Sequence, residues 1–256
     1  MKMLVPKRMS VLSRVSQTKI DVLVAMIIFG LMSGVLVWTN SLTTGTIATA
    51  KSTAIGPAID VSYGCGASSS TCSFTLETTY YPDILACIVE GNGAALNMSG
   101  GGLTWHQRGP TVHHIVYGAE FYAITSSAWW PSLTATSSGT SVATDCLAVS
   151  NVNTTSPFDP HAGLPYTSGD SASSEPSIEG VSTGHANDML VSLVAETGTG
   201  QTIPPAGFTL VSVGGNRAIA AYRSVSSIRS GLSETWGTPV PGWVMFADAI
   251  QGAGTS

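Results

Sequence analysis

At 256 residues the chain has room for one large domain or two small ones. Charged residues make up only 10%, but a hydrophobic fraction of 43% is that of a chain with a packed core, which excludes wholesale disorder. Five of the ten basic residues (Lys2, Lys7, Arg8, Arg14, Lys19) precede position 20, and from Val22 onward five basic residues stand against fourteen acidic ones. So anionic a segment has no basic patch to neutralise phosphates, and nucleic acid is excluded as a partner.

The basic leader, residues 1–19, is followed by Val22 to Trp38, seventeen residues without a charge. As a helix at ~1.5 Å per residue the run reaches roughly 25 Å, close to a ~30 Å hydrocarbon core. Ile20 and Thr39 extend it, and Trp38 stands where an interfacial aromatic belongs. The span 20–38 is therefore expected to be one transmembrane helix. All five flanking positive charges lie on its N-terminal side, which places the N-terminus in the cytoplasm and the rest outside. Cleavage after Ala48-Thr-Ala50 would instead release a secreted chain, although this small-residue pattern lies far beyond the apolar run. A pilin-like leader is the third reading, but no processing motif precedes the run. Gly30-Leu-Met-Ser-Gly34 has the spacing for close helix approach, a spacing that chance also produces in a Gly-rich chain.

Residues 39–58 are rich in Ser, Thr, Ala and Gly and read as a flexible stalk, or in a filament as a strand donated to a neighbour. A folded body is expected from Ile59, with halves at 59–165 and 166–252 and a Ser-rich linker from Tyr166 to Pro176. The halves are related by a weak repeat. Thr75 to Leu85 aligns without a gap on Gly180 to Leu190, and Gly102-Leu-Thr-Trp105 falls at the same offset on Gly207-Phe-Thr-Leu210. Tyr122 to Ser127 then matches Tyr222 to Ser227, and Ser132 to Thr136 matches Gly231 to Thr235. Each half closes with an apolar segment, Ala143 to Val152 and Trp243 to Ile250.

These segments carry strand chemistry. Asp83-Ile-Leu-Ala-Cys-Ile-Val89 and Asp188-Met-Leu-Val-Ser-Leu-Val194 are short apolar runs between turn residues, as in buried central strands. Phe74, Leu76 and Thr78 alternate with polar neighbours. About six strands per half, twelve in all, predict an all-β, duplicated antiparallel β-sandwich. One sandwich of two pseudo-symmetric halves is preferred over two immunoglobulin-like modules, because no Pro/Gly hinge isolates the halves.

The pattern D-x-L … G-L-T-W … E-F-Y-A-I … T-S-P-F-D … P-S-I … N-D-M-L … G-F-T-L, spread over about Thr71 to Gly252, resembles that of uncharacterised secreted or membrane-anchored β-sandwich proteins of archaea and bacteria. The resemblance implies a surface or adhesion module and brings no catalytic residue set with it.

Cys65, Cys72, Cys87 and Cys146 allow three pairings on the exported side, where disulfides persist. Cys65–Cys72, closing a turn, and Cys87–Cys146, joining core strands, are preferred over buried thiols or a metal site, which has no C-x-x-C spacing to support it. Asn97-Met-Ser and Asn153-Thr-Thr are glycosylation sequons in or beside expected loops. Of the histidines, His113 and His114 are adjacent and point to opposite faces of a strand, while His106 could meet one of them across a hairpin. That is thin ground for a metal centre, and no metal or other cofactor is expected. No G-x-S-x-G occurs, and Glu77, Glu90 and Glu120 do not form an obvious pair for glycoside hydrolysis. Asp83 and Asp188, being equivalent, suggest a strand-start role; Asp145 and Asp248 suggest structural bonding; Asp159 is a weak calcium candidate. Trp129-Trp130 breaks the repeat, standing where the second half has Arg229-Ser230, and is the ligand-binding candidate for a sugar ring or a protein surface.

The expected function is non-enzymatic: a cell-surface structural, adhesion or filament-forming protein, held in the membrane by Val22 to Trp38. Self-association and surface glycans are the partners this implies. A carbohydrate-binding module is the alternative, and an exported hydrolase the third reading.

Overall fold

The computed structural model describes residues 56–127, 132–198, 200–201, 203–211 and 217–254. The leader, the apolar span, most of the stalk, and the pair Trp129 and Trp130 lie outside the described residues. Among those described, every regular element is a strand. The first half contributes β1 (Ala58–Ala67), β2 (Thr71–Thr75), β3 (Ile84–Gly91), β4 (Leu96–Gly100), β5 (His106–His113), β6 (Tyr117–Ile124), β7 (Ser132–Ser137) and β8 (Val142–Ser150). The second contributes β9 (Tyr166–Asp170), β10 (Ser177–Val181), β11 (Met189–Glu196), β12 (Thr209–Leu210), β13 (Ala218–Ser224), β14 (Leu232–Thr235) and β15 (Trp243–Ile250). The all-β antiparallel class is as expected, with fifteen strands among the described residues in place of twelve.

The strands form a five-stranded sheet β1-β8-β3-β6-β5, a five-stranded sheet β12-β13-β11-β15-β9, a three-stranded sheet β2-β7-β4 and a pair β10-β14. Matching strands by the repeat, β9-β15-β11-β13-β12 is the same order as β1-β8-β3-β6-β5, and β10-β14 the same as β2-β7. The two large sheets face each other across a core that includes Ile84, Ala86, Ile88 and Leu147 from one and Met189, Val191, Leu193 and Phe246 from the other. On its other face the first large sheet packs against the three-stranded sheet through Phe74, Leu85, Met98, Phe121 and Leu133. The second packs against β10-β14 through Ile178, Leu190, Ile219, Trp236 and Met245. Four layers result, and the central strands β3 and β11 are apolar throughout because both of their faces are covered; all eight residues of each are buried.

Between the large sheets β8 packs on β13 and β6 on β15. Since β13 corresponds to β6 and β15 to β8, the contact is reciprocal, as across the two-fold axis of an isologous dimer. The approach is close at Gly118, where a Cβ would collide with Val244. Among the described residues, β4 has no counterpart in the second half. After β11 the chain makes a bond from Gly237 N to Ile203 O beside β14, but Pro204 and Pro205 carry no N–H to continue a ladder, so no match for β4 forms.

Two boundaries differ from expectation. Tyr166 to Pro176 is not a linker: its first residues are β9, an edge strand whose Ser and Gly side chains leave no apolar signature while its backbone pairs with β15. The halves also divide earlier than 165/166, because Phe158 bridges to Ile250 and the Asp159 amide bonds to the Ala249 carbonyl.

Candidate functional site

The chemistry of the body lies in carboxyls that strands carry inward. Asp83 and Asp188 stand immediately before β3 and β11, and both are fully buried. Each holds its carbonyl to the end of the next connection, Asp83 O accepting from Thr125 N at 2.9 Å and Asp188 O from Val225 N at 2.8 Å. Each carboxyl also faces a second aspartate. In the second half Asp159 accepts backbone N–H bonds from His161, Gly184 and His185 at 2.7 to 3.0 Å. In the first half Asp60 Oδ2 accepts from Thr79 and Tyr80 at 2.6 and 3.1 Å, the positions matching Gly184 and His185.

Burial, then the charge of Asp60 and contact with its carboxyl, pushes Asp83 up to about 7. Asp188 rises to about 8, by burial first and then by Asp159. Burial works to raise Asp159 too, but the bond from Asp188 and the amides of Gly184, His161 and His185 hold it below the ordinary carboxylate value. Of the two, Asp188 is the one that burial and Asp159 push toward its neutral form. One device, a pair of aspartates that clips the start of the central strand, is built twice, from Asp60 on β1 and from Asp159 ahead of β9. The strand-start role expected for Asp83 and Asp188 holds, and Asp159 has its oxygens filled by amides rather than turned toward a calcium ion.

The layer between the large sheets holds four more carboxyls, Glu90, Glu120, Asp145 and Asp248, all 0% exposed. Arg108 on β5 crosses from the first half to Asp248 on β15, with Nε 2.8 Å from Oδ2 and Nη2 3.4 Å from Oδ1, and lies over the Phe158 ring at 4.4 Å. Glu120 neighbours this pair, and burial, then the Asp248 charge, drives it well above its ordinary value against the pull of Arg108. Arg217 Nη2 lies 3.0 Å from Glu90 Oε2, an ion-pair distance without hydrogen-bond alignment. Burial raises Glu90 to about 7 although Arg217 opposes it. Asp145 is raised well above its ordinary value by burial, opposed by the backbone of Ala220 across the layer and of Cys146. Fully ionised, these would set four negative charges against two positive ones in a buried layer, so folding favours protons retained there.

Asp248 is structurally bonded, as expected, and Glu90 and Glu120 face the interior instead of a cleft. His106 and His113 sit at opposite ends of β5 and do not meet; each stacks on a tyrosine, Tyr122 and Tyr117 respectively. Cysteines pair as expected, Cys65 with Cys72 and Cys87 with Cys146, the latter on directly opposed residues of β3 and β8. Asn97 is exposed, but on β4 rather than in a loop. The Asn153 amide is already engaged, accepting from Thr155 and Ser156 N and donating to Gln251 Oε1.

Sequence reasoning also missed a cleft of about 270 Å³ lined by Gly56, Asn187, Arg223, Ser226 and Arg229 among others. It lies where the described chain begins, and the repeat places Arg229 opposite Trp129.

Fold and interior define an antiparallel all-β protein of two corresponding halves fused through a buried, carboxyl-rich layer. No protein-family model, curated protein or solved structure matches the chain.

Proposed function

We propose that this is a non-enzymatic cell-surface protein, a duplicated β-sandwich displayed outside the membrane on a single N-terminal anchor and serving adhesion or envelope structure. The observation that carries the reading is the joining of all four cysteines in two disulfides, which persist in oxidising, extracytoplasmic surroundings. The apolar run from Val22 to Trp38 behind five positive charges supports the same orientation, and the resemblance to secreted or membrane-anchored β-sandwich proteins supports a surface role. The interior agrees with a structural role: the raised carboxyls lie in a buried layer crossed by the Arg108–Asp248 and Arg217–Glu90 ion pairs rather than facing each other across a cleft. Protease treatment of intact cells, followed by sequencing of the membrane-retained fragment, tests this. The reading expects loss of the body and retention of a fragment containing residues 20–38; a body protected in intact cells, or released whole without that fragment, counts against it.

Carbohydrate binding is the second reading. It is favoured by Tyr80 and Tyr81, 59% and 62% exposed, on the connection preceding β3, near where the connection bearing Trp129 and Trp130 begins. On a glycan array it expects saturable binding that a Trp129→Ala/Trp130→Ala double variant abolishes; no binding by the parent removes it.

A further inference from the structure

The strand registers give the body two dissimilar poles. Ala58, Ser150, Val149, Ile84 and Ile124 form the terminal row of the first large sheet, and Ser224, Met189 and Ile250 that of the second. These rows lie at the same end: Gly56, Pro57 and Ala58 share the cleft with Asn187 and Asp188. The described chain therefore begins at this pole, and the β2–β3, β6–β7 and β13–β14 connections turn there. Among the described residues, four of the seven exposed large apolar side chains lie at it: Tyr80 (59%), Tyr81 (62%), Ile124 (37%) and Ile228 (62%). Trp129 and Trp130 belong in sequence to the β6–β7 connection. At the opposite pole Ile115 and Ile203 are exposed, but each lies against a glycine, Gly242 and Gly237.

Charge follows the same division. Arg223 and Arg229 line the cleft at the first pole, and the Nε of Arg229 is buried without an acceptor. The aspartates nearest that pole are spoken for by the two clips, leaving Glu77 of the β2–β3 connection and Glu179, near the end of β10, as its exposed acids. Asp170 and the exposed Glu175 lie at the far end, since Asp170 pairs with Trp243, the first residue of β15.

Exposed tyrosine and isoleucine around a cleft arginine whose Nε has no acceptor suit the headgroup region of a bilayer, where aromatic rings sit at the polar–apolar boundary and cations meet lipid phosphate. The sequence supplies the bilayer: seventeen residues separate Trp38 from Gly56, and at ~3.3–3.6 Å each they span no more than about 60 Å, so a body on that tether can rest on the membrane. We propose that the pole carrying Tyr80, Tyr81, Ile124, Ile228 and the Arg229 cleft is a lipid-facing surface that docks the body on the outer leaflet. This rests on the membrane-anchored reading above.

The test uses full-length chain in vesicles of phosphatidylcholine and phosphatidylglycerol, with an environment-sensitive fluorophore on Ile228→Cys at the first pole or Glu175→Cys at the second. Docking expects a nitroxide on the lipid headgroups to quench the label at 228 several-fold more than that at 175. Tyr81→Cys gives an independent reporter at the same pole should the first variant misfold. Equal quenching at the two poles, in chain that resists alkaline extraction from the vesicles, overturns the docking while leaving the anchor intact. Release by alkaline extraction removes the anchor, and the docking proposal falls with it.

Discussion

The two halves share a strand order but hold their outer layers in different ways. In the first half, Cys87 and Cys146 face each other on β3 and β8 and are covalently joined, and a second disulfide ties β1 to β2. In the second, the corresponding opposed residues on β11 and β15 are Ser192 and Ala247. Ser192 Oγ there accepts the indole N–H of Trp236 at 3.0 Å, and Trp236 is fully buried under the two-stranded sheet. The outer sheet has three strands where cysteines staple it and two where a tryptophan fills it. Covalent closure and a large buried ring are thus interchangeable answers to the same problem, covering one face of a five-stranded sheet.

Substitutions can break this comparison, beginning with the largest effect. Trp236→Ala leaves a cavity and an unmatched Ser192 hydroxyl, and is expected to cost about 3–5 kcal/mol in urea unfolding, with early exchange of amides in β10 and β14. Cys87→Ala with Cys146→Ala removes a bridge across a sequence separation of 59 residues and is expected to cost about 2–4 kcal/mol, with exchange rising first in β2, β4 and β7. If either change loosened both outer layers equally, the halves would not be independently covered. Smallest is Asp83→Asn against Asp188→Asn. The amide mimics a protonated carboxyl, so at acidic pH each should cost no more than about 1 kcal/mol, and the two costs should be alike.

Much of this was legible from the residues. Asp83-Ile-Leu and Asp188-Met-Leu, 105 positions apart, mark the two central strands, and apolar runs buried on both faces cannot be mistaken for surface. The cysteine pairing followed from which segments read as core. The clip partners Asp60 and Asp159 were not found, because Ile59-Asp60 and Phe158-Asp159 lie outside the gapless alignment: β1 is ten residues long and β9 only five. β9 itself was hidden, since an edge strand of Tyr-Thr-Ser-Gly-Asp has the composition of a linker. Of the interlayer charges, Asp145 and Asp248 flank apolar segments and read as structural. Arg108 and Glu120 look like surface residues in a sequence, and only the stacking of the two large sheets makes them interior.

That buried layer is the centre of the account, and its protons give it a sign. Asp83 and Glu90 rise to about 7 and Asp188 to about 8, so from about pH 4 up to those values the folded chain holds protons that the unfolded chain has released, and Glu120 and Asp145 are raised in the same sense. Stability must then fall as pH rises through that window, by about 1.4 kcal/mol per pH unit for each proton retained. Asp159, held low, acts in the opposite sense only in stronger acid. The most direct measurement is thermal unfolding of the full chain at fixed ionic strength from pH 4.5 to pH 8, with Glu120→Gln alongside. The account expects one cooperative transition whose midpoint drops steadily with rising pH, and a shallower drop in Glu120→Gln. A midpoint that stays level or climbs, or two transitions that move independently, would contradict it.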